Sequence, residues 1–117
     1  MIVGVLQETY PDEHRVALVP SVLTSLKKGG MDVIVESKAG EQAGYPDSAY
    51  TEKGATIASS RAQVFEKADC VVQVRLLGAN PTEGRADLSG FRKGQMLIGM
   101  AEALSAPQSV QDLASRE

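Results

Sequence analysis

The sequence predicts an α/β protein with a mostly parallel sheet, and two observations lead to this class. Short apolar segments, such as residues 2–6 and 70–74, show no alternation of polar and apolar side chains, which is typical of central strands covered on both faces. Segments with helical signals separate these strands along the chain. A strand, a helix and a second strand in that order imply a right-handed crossover between parallel neighbours.

The individual elements follow from local signals. Pro20 suits a first helical turn and Gly29 suits the position after a helix end, while Asp47 and Ser59 or Ser60 are candidate N-caps. The predicted order is a strand over residues 2–6, a helix over 20–28, a strand over 31–36, a short helix over 48–53, a short strand over 55–58, a helix over 61–67, a strand over 69–75, a helical turn over 88–93, a strand over 95–100, and a last amphipathic helix opened by a capping-box pattern at 105–108.

This order predicts a three-layer sandwich, either Rossmann-like or flavodoxin-like. An amphipathic helix in this architecture normally leads into another strand, so we expect residues 1–117 to be a truncated portion of a longer polypeptide. The loop over residues 37–46 contains Gly40 and Gly44 but lacks the glycine spacing of a dinucleotide fingerprint. We therefore expect a positive φ at one of these glycines rather than a phosphate site.

Composition excludes several classes of function. The chain has 117 residues, is 43% hydrophobic and 23% charged, and carries a net charge of -3, which does not favour nucleic-acid binding. Apolar runs reach only about five residues, far below the roughly 20 of a membrane helix. A signal-peptide pattern is absent from the N-terminus. Cys70 is the single cysteine, which excludes a disulfide within one chain, and we expect it to be buried. These features predict a cytoplasmic domain without direct membrane insertion.

Polar side chains at the predicted strand ends form the candidate site, because ligands of open α/β sheets bind beyond the carboxyl ends of the strands. Two arginines and a carboxylate there suit a small anionic or polar ligand. The alternative is that Arg15 pairs with Glu8 or Glu13 and only fastens a loop. The candidates at these strand ends are Glu8, Arg15, Gln73 and Arg75, with Gln7, Met100 and Glu102 beside them.

Acid–base groups are scarce in this sequence. His14 is the only histidine, and it lies beside Arg15 in a polar loop, where the neighbouring cation disfavours its protonation. We interpret it as a solvated residue rather than a catalytic base. The sequence contains no catalytic triad pattern, no metal motif and no Gly-x-Gly-x-x-Gly. We assign no catalytic residue, no metal and no cofactor-binding motif within this chain.

Several spaced blocks resemble the N-terminal domain of the family that comprises alanine dehydrogenases and the α-subunits of proton-translocating NAD(P) transhydrogenases. The resemblance covers residues 1–104. The blocks that carry it are Gly4-Val5-x-x-Glu8, Arg15-Val16-Ala17-Leu18-x-Pro20, Val33-x-Val35-Glu36-x-x-Ala39-Gly40-x-x-Ala43-Gly44 and Asp47-x-x-Tyr50-x-x-x-Gly54-Ala55.

The resemblance implies a Rossmann-like first domain that packs beside an NAD-binding domain encoded downstream, with the active cleft between them. Arg15 matches the arginine that binds the substrate carboxylate in alanine dehydrogenases. Arg75 stands where those enzymes have a lysine, and residues 100–103 stand where they have a catalytic histidine. An arginine does not serve as a neutral base, so the departures favour the transhydrogenase branch.

For that branch, the resemblance implies hydride transfer from NADH, held by the downstream domain, to NADP on a membrane-bound partner subunit. It also implies a homodimer and a parent complex associated with the inner membrane. Two alternatives remain open from the sequence. One is an amino-acid dehydrogenase resembling alanine dehydrogenase, and the other is a standalone, non-catalytic regulatory or interaction module.

Overall fold

The computed structural model describes residues 1–116 of the chain. Within them, five parallel strands form one sheet in the order β3-β2-β1-β4-β5, which confirms the predicted α/β class. The elements are β1 (Ile2–Val5), α1 (Leu23–Lys28), β2 (Asp32–Glu36), α2 (Asp47–Thr51), β3 (Thr56–Ala58), α3 (Arg61–Lys67), β4 (Cys70–Arg75), β5 (Met96–Met100) and α4 (Pro107–Ala114), with 3₁₀ segments at Pro20–Val22, Glu41–Ala43, Leu77–Ala79 and Glu83–Ser89.

Apolar side chains from successive strand positions fill a core on each face of the sheet, because side chains alternate along a strand. Val3, Val5 and Val35 pack on one face with Leu23 and Tyr50. The opposite face holds a second cluster that includes Leu6, Ile34, Val64, Phe65 and Val71. Burial on both faces explains why β1, β2 and β4 have no polar alternation.

Close packing of α3 on the centre of the sheet depends on Gly4 in β1. A Cβ atom at this position would lie 2.6 Å from Cγ1 of Val64 and 2.7 Å from Cβ of Ala68, which is closer than real side chains approach. The glycine therefore lets β1 lie directly beneath α3, and Cys70 is buried in the neighbouring strand as predicted. In the loop after β2, the predicted positive φ occurs at Gly44, where φ is 89°.

Two predicted helix caps are wrong, and one is confirmed. The Asp47 carboxylate accepts hydrogen bonds from the Ser37 hydroxyl at 2.7 Å and the Lys38 backbone N–H at 2.8 Å. It fastens the loop after β2 instead of capping α2. At α4 the N-cap is Ala106, because the Ser105 hydroxyl donates to the carbonyl oxygen of Glu102. Ser60 does cap α3, accepting from the backbone N–H of Gln63.

The predicted helical turn over residues 88–93 is also wrong, since a 3₁₀ segment occupies Glu83–Ser89. The residues that follow serve the end of α3 instead. Arg92 and Gln95 both donate side-chain hydrogen bonds to the carbonyl oxygens of Phe65 and Ala68. These side chains provide donors for carbonyl groups at the end of α3, where a helix leaves its last carbonyls without partners.

The last strand differs from the fully covered strand that its apolar sequence suggests. Met96, Ile98 and Met100 are 45%, 60% and 42% exposed. They line a groove of about 710 Å³ that continues past Val72 to Arg15. Within residues 1–116, the helices are too short or too polar to cross a membrane.

Candidate functional site

The ends of β1 and β4 are joined by the side chain of Glu8. Its carboxylate accepts the backbone N–H of Val74 at 2.6 Å and that of Arg75 at 3.1 Å. Burial raises the pKa of Glu8, and the two backbone donors oppose that rise. Glu8 therefore replaces ladder hydrogen bonds where the strands diverge, and it fixes the position from which Arg75 projects.

Glu13 is the centre of a cluster with both candidate arginines. Arg15 donates to its carboxylate from Nε at 2.8 Å and from Nη2 at 2.7 Å, and Arg75 donates from Nε at 2.7 Å. The Glu13 side chain is 5% exposed, whereas that of Arg15 is 61% exposed. The hydrogen bonds from Arg15 lower the pKa of Glu13 most, and the bond from Arg75 lowers it further. Burial opposes them, and the net result is a pKa lowered to about 2.

The turn that contains Glu13 also contacts Arg75 through a second side chain, that of Tyr10. The guanidinium carbon of Arg75 lies 4.3 Å from the centroid of the Tyr10 ring, which is a cation–π contact. The backbone N–H of Glu13 donates to the carbonyl oxygen of Tyr10, and Asp12 inside this turn has a φ of 62°. The turn thus carries both groups that hold Arg75.

A second, separate network lies nearer the helices. Arg61 on α3 donates two hydrogen bonds of 2.7 Å to Asp87, one to Glu36 at 2.9 Å and one to the carbonyl oxygen of Gln7 at 2.8 Å. Glu36 in turn accepts the backbone N–H of Gln7. Burial lowers the pKa of Arg61, but its hydrogen bonds and carboxylate neighbours more than compensate, so the net shift is upward.

The structure thus distributes the predicted site residues over two networks. Arg15 and Arg75 meet at Glu13, and Glu8 fixes the backbone beneath them. Gln73 is buried and faces the Arg61 network, with its amide nitrogen 3.5 Å from Asp87. Gln7 contributes its backbone to that second network. Of the two pairings open for Arg15, the ion pair is with Glu13 rather than Glu8.

The other residues considered at the strand ends take no part in the arginine cluster. His14 is exposed, as predicted. Glu102 is exposed and has a φ of 51°, while Met100 lines the groove beside β5.

Sequence reasoning missed Glu13 as the centre of the cluster, and also Tyr10, Arg61 and Asp87. The Glu13–Arg15 spacing of two residues was a usable signal. No local signal links Glu13 to Arg75, since these residues are 62 positions apart.

The arrangement can bind and orient an anionic or polar group, but it offers no neutral proton acceptor of its own. A guanidinium group remains protonated and only donates hydrogen bonds. Among residues 1–116, no group of three or more histidine, cysteine, aspartate or glutamate side chains is placed to hold a metal ion. The arginine cluster therefore supports the positioning of an anionic or polar group.

The fold and the site define a parallel α/β domain whose strand ends present two arginines paired with one buried carboxylate. Comparison with known proteins identifies a family within this class. The model of the family "Alanine dehydrogenase/PNT, N-terminal domain" matches residues 4–117, and the chain belongs to that family. The resemblance carried by the sequence blocks is thereby confirmed.

Similar proteins occur in both branches of the family. An NAD(P) transhydrogenase subunit alpha polypeptide of Rhodospirillum rubrum is 36% identical over 117 residues, which are 100% of this chain and 30% of that protein. The transhydrogenase structure from Sinorhizobium meliloti has a TM-score of 0.86 at 29% identity, covering 97% of this chain and 32% of the other. An L-alanine dehydrogenase structure has a TM-score of 0.87 at 28% identity, covering 99% and 30%. The chain spans less than a third of the length of that Rhodospirillum protein.

Proposed function

We propose that this chain is the N-terminal domain portion of an NAD(P) transhydrogenase α-subunit and forms one wall of its NAD(H) cleft. A downstream domain of the parent polypeptide binds NADH and supplies the other wall. Hydride passes from NADH to NADP on a membrane-bound partner subunit. The parent is a homodimer on the cytoplasmic side of the inner membrane, and the isolated chain is inactive.

The observation that carries this proposal is the ion pair between Arg75 and Glu13 at the end of β4. Direct hydride transfer between two nicotinamides requires close and aligned rings, and it requires no proton acceptor. Oxidative deamination of an amino acid does require one. A permanently charged Arg75, held by a buried carboxylate, suits the first reaction and not the second.

Each predicted site residue has a role in this wall. Arg15 is mostly exposed and is therefore available to a ligand in the cleft. Arg75 is fixed by its partners and supplies a second positive charge. Glu8 sets the backbone at the end of β4, and Gln73 is buried in that strand with its amide nitrogen near Asp87. None of these four residues changes its protonation state in the proposed role.

An amino-acid dehydrogenase that resembles alanine dehydrogenase is the second candidate. The L-alanine dehydrogenase structure, with a TM-score of 0.87, favours it, as does the retention of Arg15. It requires a proton acceptor other than the arginine cluster. This candidate predicts alanine-dependent reduction of NAD by the parent polypeptide.

A domain exchange separates the two candidates. This chain replaces the matched 117-residue segment of the Rhodospirillum relative, and the resulting chimera is assayed for both reactions. We expect hydride transfer from NADH to an NADP analogue in the presence of the partner subunit, without alanine-dependent reduction of NAD. The unmodified relative serves as the control. Alanine-dependent activity in the chimera, without transfer between nucleotides, would refute the proposal.

A further inference from the structure

A single carboxylate oxygen joins the two arginines of the site. Oε1 of Glu13 accepts from Arg15 Nη2 at 2.7 Å and from Arg75 Nε at 2.7 Å. Oε2 accepts from Arg15 Nε at 2.8 Å. Both oxygens of this carboxylate are therefore used by guanidinium groups, and the side chain that provides them is almost fully buried.

The backbone around Glu13 is shaped to present this carboxylate. Asp12 adopts a left-handed φ of 62°, which costs free energy for a residue other than glycine. The resulting turn is closed by the hydrogen bond from the Glu13 N–H to Tyr10. It places the Tyr10 ring and the Glu13 carboxylate on the same guanidinium group.

We propose that Glu13 is a positioning residue, whose shared oxygen holds the guanidinium groups of Arg15 and Arg75 as one pair at the cleft wall. The inference rests on the proposed function in that it assigns this pair to the cleft. Glu13 does not touch the nucleotides and acts only through the two arginines.

Charge and hydrogen-bond geometry both support this role. Two guanidinium groups repel each other, and one carboxylate between them offsets that repulsion while leaving a net charge of +1. Within residues 1–116, the hydrogen bonds of the pair leave Nη1 of Arg15 and Nη2 of Arg75 without a protein acceptor. These N–H groups are then free to face the cleft. Charge-assisted hydrogen bonds of this kind are short and directional, so they fix the orientation of the pair.

The first test uses the 117-residue chain and does not depend on activity. The Nε–H signals of Arg15 and Arg75 are followed by NMR in the unmodified chain, in Glu13→Gln and in Arg15→Ala. We expect both signals to move in Glu13→Gln and to exchange with water roughly tenfold faster. In Arg15→Ala the Arg75 signal stays, because Glu13 still accepts its bond. Unchanged signals in Glu13→Gln would overturn the proposal.

The second test measures hydride transfer in the chimera. We expect Glu13→Gln to raise the KM for NADH and to lower kcat/KM by roughly 10- to 100-fold, and Glu13→Asp, which keeps the charge but is shorter, to restore some of the loss. A variant that merely unfolds to some extent would lower kcat and leave KM unchanged. Glu41→Gln, at an exposed carboxylate, is the matched control.

The two tests separate failure of this inference from failure of the proposed function. If Arg15→Ala slows transfer and Glu13→Gln does not, Glu13 is not a positioning residue. The proposal that the chain forms a wall of the cleft is then still supported. If Arg15→Ala and Glu13→Gln both leave transfer unchanged, the proposed wall fails, and with it the assignment of the pair to the cleft. The NMR signals then still decide whether Glu13 holds the two arginines together.

Discussion

At the scale of single residues, the site depends on which carboxylates are held charged. Arg15 and Arg75 lower the pKa of Glu13 well below its usual range, while burial shifts the pKa of Glu8 the opposite way. These opposite shifts give opposite dependences of stability on pH. A carboxylate with a lowered pKa stabilises the fold at neutral pH, and one with a raised pKa contributes more as the pH falls.

The first prediction concerns the stability of the fold at low pH. The pKa of Glu13 is about 2 in the folded chain against an ordinary 4.5, so its contribution is fully present above pH 4.5 and is lost as the pH falls toward 2. We expect the gap in unfolding free energy between the unmodified chain and Glu13→Gln to shrink over that interval. Urea unfolding at a series of pH values measures it. A gap that stays constant from neutral pH to pH 2 would contradict the prediction.

The second prediction concerns Arg15, whose side chain is largely exposed. In the chimera, Arg15→Ala should slow hydride transfer by about tenfold or more with little loss of thermal stability, since Arg75 still donates to the buried Glu13 carboxylate and keeps it paired. Arg85→Ala is the control, because Arg85 is a similarly exposed arginine paired with Asp112. Equal transfer rates for the two variants would refute the role of Arg15.

At the scale of elements, hydrogen bonds from the Arg61 side chain connect α3 to the carboxyl ends of β1 and β2. Its guanidinium group reaches Asp87 in the 3₁₀ segment, Glu36 at the end of β2 and the Gln7 backbone after β1. The side chains of Arg61 and Asp87 are 21% and 8% exposed. Several segments of the chain therefore depend on one cation for their charge balance.

The third prediction follows from that dependence. Arg61→Met leaves Asp87 and Glu36 without their cation in a largely buried place, and we expect a loss of about 3 kcal/mol in unfolding free energy. Arg85→Met removes an exposed ion pair and should cost under about 1 kcal/mol. Denaturant unfolding of both variants checks the contrast. Equal and small losses would show that the Arg61 network contributes little.

The strands and helices also show which features of the fold the local sequence predicts. Apolar runs without alternation located β1, β2 and β4, since burial on two faces leaves a direct mark on composition. The same signal located β5, although most of its side chains are exposed. Helix caps were less predictable, because the Asp47 carboxylate and the Ser105 hydroxyl both found partners other than the predicted N–H groups. Residues near position 92 were predicted to form a helical turn, yet their side chains serve the end of α3.

The candidate site was only partly predictable for the same reason. Topology alone brought Glu8, Arg15 and Arg75 to one edge of the sheet. The sequence carries no sign that Glu13 and Arg75 form an ion pair, since that contact depends on the path of a loop 62 residues away in sequence. Gln73 was expected among the arginines, but it faces Asp87, because the choice of face depends on the local register of β4.

At the scale of the whole molecule, residues 1–116 form two well-packed cores and leave an apolar groove open along β5. The arginine cluster lies at the end of this groove, where Arg15 belongs to the lining. A domain that serves as one wall of a cleft is expected to expose such a surface. We propose that the chain shapes the cleft and does not hold the nucleotide by itself.

The most direct test of that claim is a fluorescence titration with NADH of the isolated chain and, in parallel, of the chimera. We expect no saturable signal from the isolated chain up to high micromolar NADH, and saturable binding by the chimera. Saturable binding by the isolated chain, abolished by Arg15→Ala, would contradict the account, because the strand-end arginines would then form a complete nucleotide site.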